Sequence, residues 1–127
     1  MATIPSRSTD TRTRAHRLSI RIDMASGARI GPGKVALLEE IARSGSISAA
    51  GRALNMSYRR AWELVEDLNR HLGQPVVSTV AGGAGGGGAR LTEAGSTLVA
   101  EYRALETAAY RAAARHMAAI GRACGGE

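Results

Sequence analysis

The stretch "SISAAGRALNMSYRRAWEL", residues 46–64, decides how the rest of the chain is read. Ile47, Ala50 and Leu54 recur at three- and four-residue intervals, the spacing of one face of a short helix, and Ser46 stands where an N-cap belongs. "LNM" breaks that period, and Ser57 is placed to cap a second helix with Ala61 and Leu64 on one face. Ala50 and Gly51 are small where two helices cross closely, and Asn55 tolerates the positive φ of a tight turn. Helix, turn and helix in this length make the helix-turn-helix pattern.

Working outward, "RLSIRIDM" alternates Leu18, Ile20, Ile22 and Met24 with polar residues, which predicts a half-buried strand over 17–24, and Ile30 is able to pair back briefly. A helix is expected from Pro32 to Arg43, burying Val35, Leu38, Ile41 and Ala42 and stopped by Gly45. The helix capped by Ser57 should run to Leu72 before Gly73, with Ala61, Leu64, Val65, Leu68 and Leu72 as its buried stripe. "PVVSTV" then reads as a strand, residues 82–88 hold six glycines and Ala84, and "ARL" reads as a short returning strand. Thr92 caps a last helix whose N-terminal dipole Glu93 complements. Along it Leu98, Tyr102, Leu105, Ala109, Ala112 and His116 alternate at four- and three-residue steps, the spacing of a coiled-coil seam. The fold class is mainly α with a small β-hairpin: a basic tail over 1–16, a winged helix-turn-helix over 17–91, a long helix for dimerisation over 92–122 and a short tail over 123–127.

Ser57, Tyr58, Arg59 and Arg60 crowd the first turn of the second helix of the motif, the end that a recognition helix directs into the major groove. Cations there oppose the helix dipole, so an anionic partner explains them better than local stability does. Double-stranded DNA is the expected partner. The downstream hairpin supplies the wing, with Thr79, Gly85, Gly86 and Arg90 able to reach backbone or minor groove. Ser46 offers a second capped helix start to a phosphate. Trp62, four residues after Tyr58, is read as its packing partner, with the indole N–H available to a phosphate.

The runs "GSIS", "MSYRRAW" and the glycine wing ending "GGGGA" before "LT" resemble the N-terminal DNA-binding domain of ModE-type, molybdate-responsive regulators, relatives in fold of the LysR-type winged helices. The likeness covers roughly residues 30–106. It implies a sequence-specific regulator of molybdenum transport or molybdoenzyme genes, homodimeric through the last helix, with Ser57, Tyr58 and Arg59 at the DNA face. Full-length members of that family continue into oligonucleotide-binding-fold domains that hold molybdate or tungstate. The chain reaches Glu127 without them and so resembles the shorter, DNA-binding-only members, with no cofactor or oxyanion site expected in it.

Composition agrees with this reading and narrows the rivals. At 127 residues the chain has room for one domain, and with a single Trp, three Tyr and no Phe its core must be largely aliphatic. Residues 1–34 carry seven Arg or Lys against two Asp, so five of the six excess positive charges lie there. A general DNA-organising protein that binds chiefly through this tail is the alternative within the same fold. Gly83, Gly85 and Gly88 satisfy G-x-G-x-x-G, yet Ala89 and Arg90 follow where a P-loop needs Lys and then Ser or Thr, and a strand intervenes where a dinucleotide fold needs a helix. An enzyme is therefore not expected. His16, His71 and His116 are too scattered for a metal site, and Cys124 is the only cysteine. With no apolar run of membrane-spanning length and no secretory h-region, the expected location is the cytoplasm.

Overall fold

A computed structural model describes residues 16–80 and 88–125. In chain order the elements are β1 (Ile22–Asp23), β2 (Arg29–Ile30), α1 (Pro32–Ser44), α2 (Ile47–Ala53), α3 (Tyr58–His71), β3 (Val77–Val80), β4 (Gly88–Leu91) and α4 (Glu93–Cys124). Two compact units divide the chain: residues 19–106, and the chain's two ends, of which 16–18 and 107–125 are described.

The larger unit is a three-helix core flanked by two antiparallel hairpins. Val35, Leu37, Leu38 and Ile41 of α1 are closed off from solvent by Ile47 and Ala50 of α2 and by Ala61, Val65 and Leu68 of α3. Each of these Val, Leu and Ile side chains contributes roughly 1.5–3 kcal/mol by leaving water. The stripe on α1 differs from the sequence expectation: Leu37 is buried and Ala42 is exposed. Leu37 lies about 200° round the wheel from Val35, outside a single stripe, but α1 packs against β4 as well as α2 and α3 and so buries both Leu37 and Leu38. Leu64 of α3 and Leu72, its C-cap, are only half-buried, at the rim of the stripe rather than in it.

The expected strand over 17–24 shortens to two residues, paired Ile22↔Ile30 and Asp23↔Arg29. Its alternation survives further than its ladder: Leu18, Ile20 and Ile22 are half-buried between exposed neighbours, whereas Met24 turns outward. Ile20 is held instead by α4, through a Tyr102 hydroxyl that donates to its carbonyl at 2.7 Å. Tyr102 is 2% exposed and belongs to the core.

α4 runs 32 residues. Its start is fixed by Thr92, whose Oγ1 accepts from the Gly95 N–H at 3.0 Å while its own hydroxyl donates to the Pro75 carbonyl at 2.7 Å. In the smaller unit, the Tyr110 hydroxyl donates to the Leu18 carbonyl at 3.0 Å and accepts from the Leu18 N–H at 2.9 Å. Among the described residues no helix is long and apolar enough to cross a membrane.

Candidate nucleic-acid interface

The helix-turn-helix forms at the residues whose sizes require it. A Cβ on Gly51 would lie 3.1 Å from the Met56 carbonyl oxygen and 3.3 Å from the Ala61 Cβ, so α2 and α3 cross where only a very small residue leaves space. Asn55 takes φ 58, the left-handed conformation that turns the chain between them. Ser46 caps α2 by accepting from the Ala49 N–H at 3.0 Å, and Ser57 caps α3 by accepting from the Arg60 N–H at 3.0 Å.

These caps present the first turn of α3 to solvent. Tyr58 is 56% exposed and Trp62 43%. Among the described residues the only cation–ring contact is Arg103 over Tyr102. The Arg59 side chain is 87% exposed and meets Glu63 at 3.3 Å across one turn. With arginine N-terminal to glutamate the pair has the less favourable order, and an exposed pair of this kind is worth ~0.3 kcal/mol. Arg59 is therefore free to exchange Glu63 for a stronger acceptor. Arg60 is exposed and has no ion-pair partner among the described residues.

Behind the helix, the wing is anchored at three places. Asn69 of α3 accepts from the Val76 N–H at 2.8 Å and the Val77 N–H at 3.3 Å and donates to the Val77 carbonyl at 3.1 Å, fixing the start of β3. β4 pairs with β3 from Val77↔Leu91 to Val80↔Gly88, and the Ala89 N–H also donates to the Gly45 carbonyl at 2.9 Å, tying the returning strand to the turn between α1 and α2. Gly45 makes that carbonyl available because it ends α1 at φ 75. Also at the wing's root, α4 approaches Val76, just before β3, so closely that a Cβ on Gly95 would clash with the Val76 carbonyl oxygen.

Of the wing residues singled out by sequence, Thr79 and Arg90 are exposed, opposite Ala89 and Ser78 respectively. Gly85 and Gly86 lie outside the described residues. The glycine tract is followed by a strand, Gly88–Leu91, and the next helix begins only at Glu93, so the helix that a dinucleotide cradle requires is not in position. Of the seam positions on α4, Leu105 and Ala112 are exposed, Leu98 and Ala109 half-buried. Tyr102 corrects the seam, since its ring is enclosed by its own domain and unavailable to a second chain.

Asn69, Gly95 and the Gly45 carbonyl are the supports that sequence reasoning missed. One signal was present for each of the two residues. Asn69 follows buried Val65 by four residues, where the stripe would continue with an apolar residue, and Gly95 stands three residues after the Thr92 cap, where a capping box has Glu or Gln.

Residues 33–96, just over half the chain, match the family of bacterial regulatory helix-turn-helix proteins, lysR family. The chain is 52% identical over 81 residues to the molybdenum-pterin-binding protein MopB of Rhodobacter capsulatus, a match covering 64% of this chain and 30% of that protein. It is 41% identical over 90 residues to the molybdenum transport protein ModE of Azotobacter vinelandii, covering 71% and 33%. To the DNA-binding transcriptional dual regulator ModE of Escherichia coli (strain K12) it is 39% identical over 71 residues, covering 56% and 27%. The chain thus spans about a third of the length of these relatives. Among solved structures, the CbnR DNA-binding domain in complex with DNA superposes with a TM-score of 0.54 at 23% identity, covering 69% of this chain and 95% of that one, a likeness of fold. Full-length LysG from Corynebacterium glutamicum with bound effector Arg gives 0.52 at 26% identity, covering 73% and 30%.

Proposed function

Since the chain belongs to the LysR family of bacterial regulatory helix-turn-helix proteins, we propose that it is a sequence-specific transcriptional regulator that inserts α3 into the major groove and lays the wing along the adjacent backbone or minor groove. The observation that carries this reading is the first turn of α3. Two arginines stand there against the helix dipole, both exposed, one without an ion-pair partner among the described residues and one in a weak pair. Arg59 is the proposed base reader, by bidentate contact to a guanine, with Ser57 and Tyr58 beside it on the groove wall. Ser46, Arg60, Trp62, Thr79 and Arg90 are the proposed phosphate contacts.

The genes controlled are proposed to be those of molybdenum transport or molybdoenzymes, on the support of relatives named for molybdenum. The protein is proposed to act in the cytoplasm as a homodimer, through Leu98, Leu105, Ala109 and Ala112. The exposed Leu105 and the 32-residue length of α4 support a second copy there. A two-fold protein reads half-sites on one face of the duplex.

The test is mapping of bound chromosomal sites with the native chain and with Arg59→Ala. Enrichment upstream of molybdenum genes is expected for the native chain, and Arg59→Ala should lose ~1–3 kcal/mol of specific binding and relax preference at one base position. Scattered occupancy by the native chain would instead indicate a general DNA-organising role. Unchanged affinity and preference in Arg59→Ala would remove that residue from the interface.

A further inference from the structure

The β1–β2 hairpin lies beside α3, and between them is an open cleft of about 400 Å³ whose lining includes four cations, Arg21, Arg29, Lys34 and Arg60, and no carboxylate. Nearby acids are already engaged. Asp23, the cross-strand partner of Arg29, pairs instead with Arg21 at 2.9 Å. Asp67 takes Lys34 at 2.9 Å and His71 at 3.2 Å, which together hold its carboxyl below the usual range. Glu63 takes Arg59. Arg29 and Arg60 are left exposed, each without an ion-pair partner among the described residues. Arg21 and Lys34 are compensated by their ion pairs, but Arg29 and Arg60 add only like-charge repulsion to the cleft.

We infer that this cleft is a DNA-backbone contact separate from the recognition helix's groove contact, in which Arg29 of the hairpin and Arg60 of α3 straddle phosphates flanking the bases read by α3. The inference rests on the DNA-binding reading above. It follows from the helix: successive α3 residues are about 100° apart, so Arg60 points to the hairpin side when Arg59 points into the groove. A duplex carries one negative charge per ~1.7 Å of axis, so a cationic cleft on that side meets phosphates wherever α3 is seated. Arg29, Lys34 and Arg60 also border an adjoining cleft, whose far side carries the acidic groups Glu63, Glu66 and Asp67, so the contact is assigned to the side that Arg21 lines, which holds no carboxylate.

The test uses the full chain and a duplex that the chain itself selects from a randomised library, with affinity measured against salt for the native chain, Arg29→Gln, Arg29→Gln/Arg60→Gln and, as a charge-matched control on α4, Arg111→Gln. One lost phosphate contact lowers the salt slope by ~0.9, so from about 50 to 200 mM salt the native affinity should fall about 3.5-fold further than that of Arg29→Gln and roughly 12-fold further than that of the double variant. Base preference of Arg29→Gln should be unchanged. A slope for Arg29→Gln equal to the native one, an equal loss of slope in Arg111→Gln, or an altered base preference would each overturn the inference while the DNA-binding reading stands. Selection of no duplex by the native chain would overturn both.

Discussion

Gly95→Ala should separate close backbone approach from ordinary helix propensity. Inside a helix this substitution normally stabilises by about 0.5–1 kcal/mol, because alanine restricts the unfolded chain. At Gly95 the added Cβ meets the Val76 carbonyl oxygen at 2.1 Å, the carbonyl carbon at 3.0 Å and the Cα at 3.3 Å. All three belong to backbone, so no side chain can swing aside. To reach an ordinary contact of 3.4 Å the start of α4 must move more than 1 Å from β3. That movement pulls on the Thr92 N–H bond to the same carbonyl, 3.0 Å, and on the Thr92 hydroxyl bond to Pro75, 2.7 Å. Overpacking of this kind costs ~1–3 kcal/mol and a lost cap ~1 kcal/mol, against the propensity gain of ~0.5–1 kcal/mol, which gives a net loss of about 1–3.5 kcal/mol.

Gly33→Ala supplies the control. Gly33 also lies in the first turn of a helix, yet a Cβ there meets nothing within 4 Å. It should be neutral or stabilising by up to ~1 kcal/mol. Urea or thermal unfolding of both variants reads the contrast directly, since about 2 kcal/mol shifts the Tm of a chain this size by roughly 10 °C. If Gly95→Ala melts at or above the native chain, as Gly33→Ala is expected to, the close approach of α4 to β3 is not what the glycine serves.

Asn69→Ala should destabilise by about 2–4 kcal/mol, because it strands the buried N–H groups of Val76 and Val77; faster amide exchange at those two residues, with α1 and α2 unchanged, would locate the loss at the wing's root. Glu39→Gln should flatten the acid side of the stability profile. The Arg103 guanidinium, bonded to both Glu39 oxygens at 2.9 and 2.7 Å, holds that carboxyl below its ordinary 4.5. Its stabilisation is present above pH 4.5 and lost as pH falls through the lowered folded value. With both groups about two-fifths exposed the effect is small, and a native chain no more acid-sensitive than Glu39→Gln would show that solvent screens it entirely.

How far the sequence carries depends on whether a residue's role is local. Ser46, Ser57, Asn55 and Gly45 act within three or four positions of themselves, through caps and a left-handed turn, and all four were legible from spacing. Gly51 was legible for the same reason, since its contact with Met56 and Ala61 lies inside the motif. Asn69 and Gly95 act on Val76, seven and nineteen residues away, and nothing in either local pattern names the partner. Tyr102 was misread for a related reason. Its four- and three-residue spacing is that of a seam, but periodicity tells which face of α4 is apolar and not whose core covers it; the hydroxyl bond to Ile20, eighty-two residues earlier, decides that. The candidate interface divides in the same way. Arg59 and Arg60 could be proposed from their place in the first turn of α3, whereas Arg29 gains meaning only when the short hairpin brings it to the same cleft as Arg60, with Asp23 already taken by Arg21.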